Sequence, residues 1–356
     1  MHIAIVGGSL AGALLALQLR DGEHQISIFD PRAPWEKPCG GGVYTDVFHQ
    51  FPILGELRCS WHRPSKLRFI SSAREESFLL GPQPAWLIVS RYDLNRAILE
   101  VALQSPEVSL IAERVTCLDM IGDSSRWVVR TACHRQEFDI VIGADGVNSV
   151  VRKSLMAPIP REHLAMTVGY MISDVPLDEM LFQTYSDLLG YLWCFPRSDH
   201  AIVGIGTRVD AVSGSELWRR LEAFLSKYYP QARKVRRWRA LIPAAIGPDF
   251  WRQRCAGRTW ALIGDAAGHV NPVTGIGIPY AVASANLVAQ AILCGDLESY
   301  DRAWRDQYGD WLERSGGIMD RFIRTGDVAG FERAMEHVLG SNMPLVEPFS
   351  GIGART

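Results

Sequence analysis

A chain of 356 residues, 47% hydrophobic and 21% charged, can bury a sizeable core, exceeds the usual size of one domain and is too ordinary in balance to be disordered. The net charge of −2 gives no reason to expect a nucleic-acid partner. Seven scattered cysteines (Cys39, Cys59, Cys117, Cys133, Cys194, Cys255, Cys294) form no C-x-x-C pair, which suits a reducing cytoplasm and argues against a zinc site or a dithiol centre; no metal is expected.

The apolar opening lacks a basic start and is broken by Gly7, Gly8 and Gly12, so it does not read as an export signal. No run reaches the length of a membrane span. Ile278 to Cys294 comes nearest, and Ser284, Asn286 and Gln290 interrupt it. A soluble, cytoplasmic protein is expected. In chain order, residues 2–6 read as a buried parallel strand, 12–20 as a helix and 25–30 as a second strand. After Pro31 the chain turns irregular through Gly40, Gly41 and Gly42. Residues 91–104 place Leu94, Ile98, Val101 and Ala102 at helical spacing. Residues 108–142 alternate as short strands ending in FDIVIGADG, and 166–209 read as aromatic-rich antiparallel sheet. Trp260 to Ile263 form another buried strand, followed by a helix from about Pro279 to Cys294. Residues 300–325 are helical, with Trp304, Trp311, Ile318 and Phe322 expected on one face among arginines. The fold class is therefore α/β (α+β overall), with discontinuous domains and no boundary linker.

The first chemical motif is Gly7-Gly8-Ser9-Leu10-Ala11-Gly12, a G-x-G-x-x-G turn with serine in its second glycine place. Gly7 permits the tight turn, a small residue at 9 admits a phosphate, and Gly12 lets the helix pack on the strand. Helix amides then face a pyrophosphate. Asp30, eighteen residues after Gly12 and just before Pro31, stands where a carboxylate accepts hydrogen bonds from ribose hydroxyls. Both strands and Asp30 favour dinucleotide binding over a glycine-rich turn in an unrelated α/β fold. The turn alone does not separate FAD from NAD.

Two later segments do. Gly143-Ala144-Asp145-Gly146, with Asn148, Ser149 and Arg152, follows one buried strand. Gly264-Asp265-Ala266-Ala267-Gly268, then Pro272, Gly275, Ile276 and Gly277, follows another. These segments resemble those of flavoproteins in the para-hydroxybenzoate hydroxylase superfamily. The resemblance implies a Rossmann-like FAD-binding domain (1–64, 86–160 and 250–298), an inserted substrate or cap sheet (65–85 and 161–249) and a C-terminal helical segment (299–356). It implies that Asp265 contacts the ribityl chain and that the 275–277 region stabilises negative charge on the reduced flavin. Arg91, in SRYDLNRAIL, resembles the family's arginine at a helix start and is expected at the cofactor; the alternative is a surface cap. Val115 completes the expected cofactor-binding set.

Within the superfamily, Lys37-Pro38-Cys39-Gly40-Gly41-Gly42 and Tyr191-Leu192-Trp193-Cys194-Phe195-Pro196, followed by Gly204 and Gly206, resemble segments of the geranylgeranyl reductase branch. Gly268 agrees, since aromatic hydroxylases of the superfamily usually carry histidine there, whereas this chain has His269 one step later. Residues 191, 193 and 195 share one face of a strand and line either an apolar cavity, as the resemblance implies, or a packed core. Cys39 and Gly40–Gly41 are expected beside the flavin, where Lys37 would lower the thiol pKa; the alternative is a small apolar residue packing a turn.

No second G-x-G-x-x-G follows a strand, so NAD(P)H would dock transiently, or electrons would come from another external donor or redox partner. The leading expectation is an FAD-dependent reductase acting on a C=C bond of a prenyl-like or other apolar substrate, with Cys39, Tyr191, Trp193 and His269 as catalytic candidates. The alternatives are a monooxygenase acting on an aromatic metabolite or a peptide tryptophan, and an electron-transfer flavoprotein. A halogenase is disfavoured: YLWCFP is not W-x-W-x-I-P, and FLLGPQ near residue 80 supplies no lysine. The 300–325 helix either covers the core or lies on a membrane surface, which would fit a lipid substrate.

Overall fold

The computed structural model describes residues 1–81, 86–121 and 126–339. They fall into two compact units, the first built from Met1–Glu36, Tyr92–Pro160 and Gly247–Arg314, the second from Lys37–Arg91, Arg161–Ile246 and Ser315 onward.

The first unit holds a five-stranded sheet in the order Trp260–Leu262, Ile140–Gly143, His2–Val6, Gln25–Phe29, Val108–Ile111. Every neighbouring pair is parallel. Parallel strands are covered on both faces, which is why IAIV and IVIG are runs of apolar residues with no polar alternation. The helix Leu10–Leu19 packs on this sheet and on the helix Ile278–Leu293. It is apolar all round, and all its residues but Gln18 are buried. It begins at Leu10, two residues before the sequence expectation, because Gly12 tolerates a helical position pressed against a strand. A three-stranded antiparallel sheet (Cys117–Met120, Trp127–Arg130, Arg135–Phe138) completes the unit.

The second unit holds a seven-stranded sheet in the order Arg233–Pro243, Leu164–Ser173, Ala201–Arg208, Leu188–Pro196, Glu179–Tyr185, Lys66–Ile70, Glu75–Leu79. It is antiparallel except where Glu179–Tyr185 meets Lys66–Ile70. One face packs on the helix Gly214–Tyr228, whose Leu217, Leu221, Phe224 and Leu225 meet Val168, Leu192, Cys194, Val203 and Ile205. Burial of each of those helix side chains contributes about 2 kcal/mol. Ser213 caps this helix, accepting from Glu216 N at 3.2 Å. A small sheet joins Gly42–Tyr44, Trp86–Val89 and Trp61–His62.

The units divide the chain differently from the boundaries read off the sequence. Residues 37–64 and 86–91 go with the aromatic sheet, because Gly42–Tyr44 pairs with Trp86–Val89 and the glycines pack on Phe195. The C-terminal segment is split at Arg314. Within it, a π-helical turn at Arg305–Gly309 separates Ser299–Trp304 from Asp310–Thr325. That turn shifts the helical register, so the expected single face does not form: Ile318 is 47% exposed, while Leu312, Met319 and Phe322 are buried. Residues 340–356 of that segment, and part of the FLLGPQ stretch, lie outside the described residues.

The helix Val328–Leu339 packs on the strands Glu179–Tyr185 and Leu188–Pro196. Its buried Glu332 accepts from Ser72 N at 2.6 Å, from Thr184 Oγ1 at 2.7 Å and from the Ser72 hydroxyl. Among the described residues no helix is long and apolar enough to cross a membrane.

Candidate functional site

All four motif segments of the first unit sit at the carboxyl ends of parallel strands. GGSLAG follows His2–Val6, Asp30 follows Gln25–Phe29, GADG follows Ile140–Gly143 and GDAAG comes after Trp260–Leu262. The chain leaves the central strand toward one neighbour and returns on its other side, so the crevice at these ends is the place where doubly wound sheets hold ligands. Backbone packing draws the segments together. Gly7 has φ +104°, and a Cβ there would lie 2.3 Å from the Ala144 carbonyl oxygen. At Gly12 a Cβ would lie 1.9 Å from the Gly7 oxygen. Gly264 faces Ala11 across the helix start.

Ser9 occupies the N-cap of Leu10–Leu19 in an extended conformation and makes no capping bond, and no acidic residue lies in the first turn. The first amides of this helix are thus left for an anion. Asp30 Oδ2 accepts from Gly8 N at 2.9 Å and Oδ1 from Arg32 N at 2.9 Å, which fixes the carboxylate while leaving lone pairs for a ribose. Pro31 is exposed beside it. Asn95, not singled out in the sequence, is buried and donates from Nδ2 to the Gly8 carbonyl at 2.8 Å, with Oδ1 unpartnered. Its signal was an amide on the apolar side of a helix, next to Leu94 and Ile98.

In the second segment, Asp145 Oδ2 accepts from Val150 N at 2.6 Å and Oδ1 is buried without a partner. Burial raises the pKa of this carboxyl against the bonds that would lower it. In the third, Gly264 N donates to Ser284 Oγ at 3.1 Å, and Asp265 Oδ1 would stand 3.7 Å from a Cβ at Gly277. Asn271 organises the Pro272–Gly277 loop: its Oδ1 accepts from Val273 N at 3.0 Å and Thr274 N at 3.1 Å, and its carbonyl accepts from Gly275 N at 2.8 Å. This Asn-Pro turn was the missed signal. Gly275, Ile276 and Gly277 keep surface exposed at the uncapped start of Ile278–Leu293. Gly146, at φ +81°, has open space around it. Val115 is buried between two strands, and Arg91 is buried at the head of Arg91–Ala102.

His269 directly follows GDAAG, and its N donates to the Gly264 carbonyl at 3.1 Å, but its side chain packs on Trp304. Its ring stacks on Trp304 at 3.5 Å, and burial, with Arg152 and Arg305 nearby, holds its pKa well below the usual value. It is neutral at physiological pH and a poor proton donor. Gly268, at φ +83°, would place a Cβ 2.5 Å from Phe250 Cζ, so a histidine at that position does not fit this packing.

In the second unit the Lys37–Gly42 and Tyr191–Pro196 segments form one surface. Leu192 and Cys194 point into the core beneath the helix Gly214–Tyr228, so Tyr191, Trp193 and Phe195 share the opposite face. There Tyr191 lies 5.8 Å from Trp193, Phe182 lies 6.0 Å from Tyr191 and 5.2 Å from Phe195, and Trp193 lies 6.2 Å from Trp238. The glycine segment packs on this face. A Cβ at Gly40 would lie 2.6 Å from Phe195 and 3.2 Å from Trp193, and one at Gly42 would meet Phe195 and Trp86. Arg197 donates to the Cys39 carbonyl at 3.4 Å, and Gly41 N donates to Cys39 Sγ at 3.3 Å. Trp193 Nε1 is buried with no partner. Tyr191 is half-buried, and desolvation, with Cys39 close by, raises its phenol pKa. Among the described residues no cluster of His, Cys, Asp and Glu has metal-binding geometry.

The architecture is that of the Rossmann-type flavoproteins. A geranylgeranyl bacteriochlorophyll reductase-like protein of Thermoplasma acidophilum superposes with TM-score 0.79 at 16% identity, covering 99% of this chain and 93% of the other. A probable FAD-dependent monooxygenase of Pseudomonas aeruginosa superposes with TM-score 0.62 at 18% identity, covering 96% and 98%. No protein-family model matches. In sequence, the chain is similar to the geranylgeranyl diphosphate reductase of Synechocystis, 26% identical over 87% of this chain and 82% of the relative. It is likewise 26% identical to a digeranylgeranylglycerophospholipid reductase of Methanoculleus marisnigri, over 91% and 87%. The expected resemblance to the flavoprotein superfamily and its geranylgeranyl reductase branch is borne out by these likenesses.

Proposed function

We propose that this chain is an FAD-dependent oxidoreductase that reduces a C=C bond in a prenyl-like substrate. The reading is carried by the meeting of the Cys39–Gly42 and Tyr191–Pro196 segments on one aromatic face, and it is supported by relatives named as reductases of geranylgeranyl compounds. The first unit fits FAD because its helix start is uncapped, its strand ends converge and Asp145 Oδ1 is a buried acceptor in want of a donor. Gly7–Gly12 and the amides of the following helix hold the pyrophosphate, Asp30 the ribose, Asp265 the ribityl chain, and Gly275–Gly277 the pyrimidine edge. FAD, once reduced and bound, supplies the hydride. Arg91, Val115, Gly146 and Pro272 complete its binding set in this proposal.

In the second unit Tyr191, Trp193 and Phe195 bind the apolar chain and exclude water. Reduction adds a hydride to one alkene carbon and a proton to the other. Tyr191 keeps its O–H at neutral pH and is the proposed donor of that proton. Cys39 and Gly40 shape the face. NAD(P)H is the proposed external electron donor, used without a binding domain of its own. Approach to a membrane surface, in the cytoplasm, would suit a lipid-borne substrate.

The test is anaerobic: FAD-loaded protein is reduced and mixed with geranylgeranyl diphosphate. Flavin reoxidation with a product heavier by two hydrogens is expected. Failure with every isoprenoid alkene, together with substrate-dependent oxygen consumption on an aromatic, would establish instead the monooxygenase alternative that the Pseudomonas neighbour suggests.

A further inference from the structure

A pocket of about 20 Å³ in the first unit, partly open to solvent on its Gln253 side, is lined by Arg152, Trp251, Gln253, His269, Trp304 and Arg305. That volume holds one water or one monatomic ion. Its charge is unusual. Arg152 is 3% exposed, and its bonds go to the carbonyls of Ala157 at 3.1 Å and Ala266 at 3.4 Å and to the Gln253 side chain. Among the described residues no carboxylate neutralises it, whereas the neighbouring Arg305 is paired with Asp301 at 3.0 Å. Three of the five guanidinium N–H groups are used, so two remain. Two further buried nitrogens, Trp251 Nε1 and His269 Nδ1, have no partner.

A water would leave the buried cation uncompensated. The Gln253 amide oxygen already accepts from Arg152 and keeps one further lone pair, fewer acceptor sites than the donors around it. Indole N–H, spare guanidinium N–H and the imidazole N–H of one tautomer are all donors. We propose that this cavity binds one small monovalent anion of halide size. Such an ion satisfies the donors and compensates Arg152 together. Because Arg152 lies in the helix Val150–Leu155 and bonds to Ala266, the ion would also brace the Asp145 segment against the Asp265 segment. The site lies within the first unit and does not depend on the reaction proposed above.

Crystals grown in sodium bromide and measured at the bromine edge test the proposal, alongside thermal unfolding of the flavin-free chain in bromide, chloride or acetate at equal ionic strength. The expected result is an anomalous peak within hydrogen-bond distance of Arg152 and Trp251, with halide raising Tm by about 2–3 °C over acetate. Trp251→Phe should fold and lose most of that rise. Arg152→Met should lose all of it. If Arg152→Met does not fold, the Trp251→Phe comparison and the bromide peak decide. Water density without anomalous signal, or equal stabilisation by halide and acetate, would overturn the proposal.

Discussion

The glycine turn of the first unit and the aromatic face of the second use glycine for opposite ends. In the first, Gly7 and Gly12 let backbone meet backbone: the atoms a Cβ would strike first are the carbonyl oxygens of Ala144 and Gly7. In the second, Gly40, Gly42 and Gly204 make room for rings: the first atoms struck belong to Phe195 and Trp193. A site made of main-chain groups tolerates no side chain but reads no particular one. A site made of aromatic rings reads shape, and small changes in volume redirect it. Cofactor retention and substrate selection should therefore be separable by mutation.

The largest effect is expected from Gly12→Val. The new Cβ meets the Gly7 oxygen, which cannot move without opening the turn, so FAD affinity should fall at least about a hundredfold. Flavin absorbance of the purified protein and titration of the apoprotein measure it; normal retention would break the backbone half of the comparison. Gly204→Val presses on Trp193 and Trp238, with nearest atoms at 2.5 and 2.9 Å. It should leave flavin content unchanged and slow prenyl-dependent flavin reoxidation about tenfold or more, an overpacking cost of about 1–3 kcal/mol. Equal loss of flavin would merge the two regions again.

Asn95→Leu removes the donor to the Gly8 carbonyl and should weaken FAD binding by about 1–2 kcal/mol, read from the dissociation constant, with prenyl-chain selectivity unmoved. Glu332→Gln sharpens the other side. Burial would raise this carboxyl's pKa, but hydrogen bonds from Ser72 and Thr184 outweigh burial and leave it below the ordinary glutamate value. Its stabilisation is accordingly present above the unfolded pKa of about 4.3 and is lost as pH falls through the lower folded value. Urea unfolding should show the variant about 1 kcal/mol less stable at neutral pH, the gap closing in acid. A constant gap would mean the carboxylate's charge plays no part. Cys39→Ala is the smallest: its Sγ accepts one bond, from Gly41 N, and the flavin spectrum and turnover should change little. A large loss would move the thiol from packing to chemistry.

Much of the first unit was legible because its rules are local. A strand, a glycine turn and an apolar helix follow one another within the first twenty residues, and Asp30 directly follows the next strand. Asn95 was not legible as a clamp on Gly8, since nothing near it in the chain announces a partner so distant in sequence. In the second unit, alternation put Tyr191, Trp193 and Phe195 on one face, but whether that face met core or cavity depended on where the helix Gly214–Tyr228 packed. That helix and the long strand Arg233–Pro243 stand outside the elements expected from the sequence.

The amino-acid sequence by itself determined the period of each element, the places where only glycine fits and the segments that resemble a flavoprotein. These are properties of residues close along the chain, where sterics and alternation act directly. Only the tertiary structure decided that Cys39–Gly42 packs on Phe195, that a π-helical turn resets the Trp304 helix and that His269 turns to Trp304 beside an uncompensated arginine. Those outcomes depend on which surfaces bury one another, and such long-range contacts leave no periodic trace in the sequence.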